Sequence, residues 1–377
     1  MWLWQLIRAT DGYHIWSKSW DRQGHDVLAM ETDVASAVAE SFRQTLRGSK
    51  PVATSLEAHD LYLLGRHHWN TLEPGELFKA INYFERAIAI APDYALAYSG
   101  LSEAYSYLID LDVAPVAEMT GKARTAAEKA ISLDEGLAEA HTSLGLALMD
   151  GEWDMVAAER EFRRAVQLKP RFAYGVHWLG HFLENKGMVE EGYLQMRQAA
   201  AIDPLSRMYQ LDIAMSLYKK RQIDQGLTQV QKARELDAAF PFFDMADAIG
   251  YAAKKDWARA VESSRKARTV LGPLPFVIAM QAIAEGGSGN LKGAGSRVKE
   301  LSAQSKTGYV PAFAFALSSY AAGEKAMGYS WLRRAFEERN CALLWLGSSP
   351  MFDVVREDAA GAELLKHVGD RGYVPAK

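Results

Sequence analysis

Residues 158–170 read AEREFRRAVQLKP, the same skeleton stands at 80–92 as AINYFERAIAIAP, and a looser version stands at 192–204 as GYLQMRQAAAIDP. Ala158, Phe162 and Ala165 repeat the spacing of Ala80, Phe84 and Ala87, and Pro170 and Pro92 close the two runs at the same distance. Residues at i, i+4 and i+7 share one helical stripe, and proline ends the helix because it lacks a donor and clashes with the preceding turn. A helix that recurs together with its stop is the mark of a stacked array rather than of one globular core.

The register extends in both directions to eight copies. The late small position runs Ala87, Ala130, Ala165, Ala199, Ala233, Ala267, Leu301, Ala335, and after steps of 43 and 35 every step is 34. An earlier one runs Ala80, Ala123, Ala158, Gly192, Gly226, Ala260, Ala294, Gly328, and a third, in the preceding helix, runs Gly65, Ser102, Gly145, Gly180, Ala214, Ala248, Ala282, Ala316. Leu301 alone among these positions is neither Gly, Ala nor Ser. With about a third of residues small, chance agreement of that kind is on the order of one in ten billion. Helices approach closely only where side chains are nearly absent, while Phe84, Leu144, Phe162 and Leu179 fill the space between.

A 34-residue helix-turn-helix unit with Leu-Gly in its first helix and Ala…Phe…Ala…Pro in its second resembles the tetratricopeptide repeat. The resemblance implies an all-α fold: an α-solenoid of about eight repeats over residues 55–340, wound as a right-handed superhelix. Two departures carry local expectations. About nine extra residues near Asp110–Thr120 predict a projecting loop in the second unit, and the glycines of Glu285–Gly295 predict weakened helix ends in the seventh. Residues 341–377 are not a repeat and read as a loop plus an amphipathic helix capping the array.

Residues 1–48 differ. Trp2–Ile7 and Tyr13–Trp20 flank Asp11-Gly12, a strong hairpin signal, and Val27, Met30, Val34, Val38, Phe42 and Leu46 mark an amphipathic helix. One hairpin and one helix bury too little surface for a domain, so the segment reads as a short α/β remnant, followed by a linker at 49–54. The words QLIRATDGYHIWSKSWDR and DVLAMETDVASAVAESFRQTL resemble the end of the TolB-like domain, which precedes tetratricopeptide repeats in bacterial winged-helix regulators, adenylate cyclases and serine/threonine kinases. The closing segment resembles the tail of that group. This implies a native chain that begins upstream of Met1 with an effector domain, or a truncated ancestor.

Of 377 residues, 49% are hydrophobic and 24% charged, with a net charge of -4, which argues against a chain built to coat nucleic acid or anionic membrane. A single cysteine, Cys341, excludes an internal disulfide framework and a cysteine-rich zinc site. No apolar run approaches a bilayer span and Met1–Ile7 is too short for a signal core, so a cytoplasmic location is expected, or a periplasmic one if a membrane anchor precedes Met1.

No catalytic set emerges. His177, His181 and Glu184 share a helical face at metal-ligand spacing, but Trp178 stands where a zincin carries its glutamate, so they read as structural and no metal or cofactor is expected. The glycine run matches no phosphate loop, and Cys341 has no identifiable partners for nucleophilic chemistry.

What remains is a surface. The resemblance places the first helices on the concave side, giving a groove of His59, Tyr62, Arg66 and Trp69 in the first unit and Tyr174, His177, His181, Glu184 and Asn185 in the fourth. The fifth and sixth add Met208, Leu211, Met215, Tyr218, Phe242, Met245 and Ile249, whose methionines and aromatics suit an apolar partner. The same residues also suit burial against neighbouring repeats or the capping segment. The expected function is a non-enzymatic scaffold that binds a protein or peptide in the groove, without direct contact to nucleic acid or membrane. The alternative is the sensory half of a transcriptional regulator, cyclase or kinase.

Overall fold

The computed structural model describes residues 55–71, 73–236, 240–346 and 348–370, and the backbone of 2–7 and 14–20. Eight antiparallel helix pairs follow one another among the described residues. They are α1 (Leu56–Trp69) with α2 (Pro74–Ile90), α3 (Ala95–Asp110) with α4 (Val116–Leu133), α5 (Ala138–Leu146) with α6 (Met155–Leu168), and α7 (Ala173–Asn185) with α8 (Val189–Ile202). Then come α9 (Arg207–Lys219) with α10 (Ile223–Leu236), α11 (Phe243–Ala253) with α12 (Trp257–Leu271), α13 (Pro275–Gly287) with α14 (Leu291–Gln304), and α15 (Ala312–Ala321) with α16 (Lys325–Glu337).

The small-residue stripes do what their spacing predicts. The Phe84 ring is fully buried between α1 and α3, where a Cβ added at Gly65 would lie 2.5 Å from it and one at Gly100 2.7 Å. Phe162 sits against Gly145 in the same way. Burying one such ring contributes about 1.5–3 kcal/mol, and the array repeats the arrangement until one apolar cluster runs from Ala58 to Leu364.

The turns inside the units keep the same period. Trp153, Gly187, Arg221, Lys255, Gly289 and Gly323 all have positive φ and stand 34 residues apart. A left-handed residue closes the first helix there, and the next residue can cap the second: Asp154, Asp256 and Asn290 each accept from a backbone N–H three residues on. In the third unit α5 continues as a π-helix over Ala147–Glu152, which carries Asp150 into the interior.

Two local expectations are corrected. The extra residues of the second unit do not project: α3 and α4 lengthen to 16 and 18 residues, and the short link between them folds inward with Asp112 and Ala114 buried. The glycine run does not fray its helices, since α13 extends to Gly287 and α14 begins at Leu291. Two of its glycines answer to packing: a Cβ on Gly286 would run into the Ala321 carbonyl, and one on Gly287 into the Trp257 ring.

After α16 the chain turns back into the concave side. Helix α17 (Ala342–Leu346) packs on α7, the 3-10 turn Pro350–Phe352 on α11, α18 (Asp353–Arg356) on α15, and α19 (Ala359–Leu365) on α16. Cys341, Leu343, Leu344, Met351 and Phe352 are buried. The segment therefore lines the inside of the superhelix as well as covering its last helix.

Near the N-terminus β1 (Trp2–Ile7) pairs antiparallel with β2 (His14–Trp20), Trp2 opposite Trp20 and Leu6 opposite Trp16, with a register irregularity after Leu6. The helix expected over 26–46 and the linker at 49–54 lie outside the described residues.

Candidate functional site

The concave face is made by α1, α3, α5, α7, α9, α11, α13 and α15, and its residues meet across the superhelix axis. Trp69 of the first unit packs edge-on against Tyr107 of the second and Tyr174 of the fourth, at ring separations of 4.9 and 5.7 Å. Tyr107 and Tyr174 each pack on Trp178. The Arg66 guanidinium lies 4.3 Å over the Trp69 ring and donates to Glu103 at 2.6 Å. Both members of that pair are buried, and burial raises the Glu103 carboxyl above its usual range although Arg66 opposes the rise.

The expected groove residues divide by burial. Tyr62, Arg66, Trp69, Tyr174, His177, His181, Glu184, Leu211, Tyr218 and Ile249 are interior, while His59, Asn185, Met208, Met215, Phe242 and Met245 are half-buried. His59 Nδ1 meets the Tyr94 hydroxyl at 2.8 Å, and Asn185 Nδ2 donates to Met149 Sδ at 3.6 Å. Tyr218 fills the space that glycines leave at 226 and 250. The interior residues hold the repeats together; of the half-buried ones, Met208, Met215, Phe242 and Met245 are apolar and pack on the core from its edge.

The fourth and fifth units form a polar cluster. His177 Nε2 lies 2.8 Å from Asp212 Oδ2 on α9 and 3.1 Å from His181 Nε2. His181 Nε2 is 3.7 Å from the same carboxylate oxygen. Glu184 is not the third member of this group: its carboxylate takes the Ser216 hydroxyl and, at 2.6 Å, the Lys219 ammonium. Asp212 replaces it, and these three are the described residues whose ligand atoms come close enough to share one ion. Burial and the neighbouring His181 lower the His177 imidazole, against the pull of Asp212. Burial alone would raise Asp212, but the two neighbouring imidazoles outweigh it and hold the carboxyl below its ordinary range.

A second cluster lies where the inward link of the second unit meets the C-terminal segment. Asn340 Nδ2 donates to Asp112 Oδ1 at 3.2 Å, and Cys341 Sγ lies 3.5 Å from the Ile109 carbonyl. Burial pushes Asp112 up to about 8. Burial, then Asp150 and Asp112, hold Asp110 well above the carboxylate range. The Cys341 thiol is raised by burial and by these carboxylates, which suits a resting thiol and not a nucleophile.

Sequence reasoning found the two histidines but missed Asp212, Asp110 and Asp150. The signal for Asp212 was present: it stands one residue beyond the position one 34-residue period after His177.

No family model matches the chain. The transcriptional regulator HilA of Salmonella typhimurium is 25% identical over 150 residues, 40% of this chain and 27% of HilA, so the chain spans about a quarter of that relative's length. The APC/C hetero-tetramer Cut9-Hcn1 matches over 88% of this chain and 59% of that one at 11% identity and a TM-score of 0.56. The human IFIT1 dimer with m7Gppp-AAAA matches over 74% and 72% at 13% identity and a TM-score of 0.53. Among the described residues no helix is long and apolar enough to cross a membrane. Eight helix pairs in a 34-residue register, with that likeness of fold, make the chain a tetratricopeptide-repeat α-solenoid.

Proposed function

We propose that the chain is a non-enzymatic interaction scaffold that takes an apolar segment of a protein partner on the first helices of its fifth and sixth repeats. The observation that carries this is the strip Met208, Met215, Phe242 and Met245. It is half-buried on a concave side whose other predicted contact residues, His59 and Asn185 apart, are buried. Met208 and Met215 are seven residues apart on one face of α9, and methionine adapts to a partner's shape where a branched side chain would not. Cut9-Hcn1, which shares the fold, is a complex between protein chains. A net charge of -4 favours a protein over a nucleic acid as the occupant.

Peptide display against the purified chain tests this. Peptides rich in apolar residues are expected to enrich. Their binding should be lost in the Met215→Asp, Met245→Asp double variant and kept in Val156→Asp, which alters an exposed position away from the strip. Failure of any peptide to enrich, or indifference of the enriched peptides to the double variant, overturns the reading.

A further inference from the structure

We propose that His177, His181 and Asp212 bind a divalent transition-metal ion of zinc's class, which ties the fourth repeat to the fifth. The inference is independent of the partner-binding strip.

The argument begins with helix geometry. Residues 177 and 181 are one turn apart on α7 and present their Nε2 atoms side by side, while Asp212 comes from α9 of the next unit. The three ligand atoms form a triangle of 2.8, 3.1 and 3.7 Å. A point slightly off its plane lies about 2 Å from all three, which matches the bond lengths of zinc to imidazole nitrogen and carboxylate oxygen.

Hydrogen bonding alone serves this triangle poorly. An imidazole nitrogen has one in-plane site, holding either a proton or a lone pair. His177 Nε2 is nevertheless approached by both Asp212 and His181, and one proton satisfies only one of those contacts. His181 Nε2 stands beyond hydrogen-bond range of the carboxylate. The rings are also not aimed at each other. Two nitrogens facing head-on would put the centroids a full ring width further apart than the nitrogens, yet the centroids are 4.5 Å apart and the nitrogens 3.1 Å. A cation at the shared point satisfies all three atoms together.

The donor set selects the ion. Two imidazoles and one carboxylate suit zinc, cobalt or nickel and exclude the all-oxygen coordination of calcium and magnesium. Three protein ligands leave a fourth position open, and an Asp212 side chain 12% exposed leaves an approach from the groove.

The experiment uses tag-free, chelator-treated full chain. Competition titration with a chromophoric chelator should show one zinc ion per chain, and zinc but not magnesium should raise the midpoint of thermal unfolding. Cobalt should give visible d–d bands of the intensity expected for low coordination, which reports the ligand sphere without any mutation. His181→Ala and Asp212→Asn should weaken zinc by more than the about 10- to 100-fold that losing a supporting hydrogen bond costs. Glu191→Gln, exposed and outside the triangle, should retain the wild-type affinity. Absence of stoichiometric zinc and of cobalt bands in the wild type overturns the proposal, as does binding that survives both ligand variants unchanged.

Discussion

Replacing Asp112 by Asn should weaken the pH dependence of the C-terminal segment. Asp112 is buried, accepts from Asn340 and is raised from an ordinary value of 3.8 to about 8. An acid raised on folding keeps its proton in the closed structure where the opened segment has lost it. Its favourable contribution is complete below about pH 4 and declines as pH rises toward 8, at up to ~1.4 kcal/mol per pH unit. Cys341, one residue beyond Asn340 and buried, reports the opening, because a thiol reagent reaches it only when the segment lifts. Dividing its labelling rate by that of a free thiol at the same pH removes the thiol's own titration. Between pH 6 and 8 the protection of Cys341 should then fall by up to about 100-fold more in the wild type than in Asp112→Asn, or about 2.7 kcal/mol. Asn keeps the acceptor for Asn340 and tolerates the positive φ of 55° found there. A wild-type to variant protection ratio that stays constant from pH 6 to 9 would refute the reasoning.

Two further experiments isolate single terms. Gly187→Ala should lower stability by about 1 kcal/mol in urea denaturation, because nothing lies within 4 Å of the new Cβ and only the φ of +82° resists it. Arg66→Met should destabilise by about 3–5 kcal/mol by leaving Glu103 buried without its cation, whereas adding Glu103→Leu should recover most of that loss; a double variant no better than the single would show that the pair is not the cause.

The helices and their register were legible because stacking fixes both period and residue size: Gly65 and Gly145 face the Phe84 and Phe162 rings, and the alanines of the stripes are buried. The left-handed turn positions were not recognised, although they keep the same period, because Trp153, Arg221 and Lys255 occupy them where glycine was the expected sign. The inward fold of the second unit was hidden for a different reason. Its extra length suggested a loop in solvent, and only the distant Asn340 and Cys341 explain why Asp112 is buried.

The candidate sites follow from one geometric rule that was available but unused. Stacked first helices pair residues about 35 apart: His59 with Tyr94, His177 with Asp212, Glu184 with Lys219. Ser99 pairs with Ser143 at a separation of 44, which is the same offset lengthened by the roughly nine extra residues of the second unit. The insertion thus shifts the numbering without breaking the stack. Helical spacing within one unit made Glu184 the natural third partner for the two histidines. In a solenoid, however, the residue one repeat onward is nearer than the residue one turn onward for any side chain that points along the stack. Glu184 points that way too, and so reaches Lys219 and leaves the histidines to Asp212. The concave side is consequently a series of inter-repeat contacts, and its chemistry belongs to pairs of repeats rather than to any single helix face.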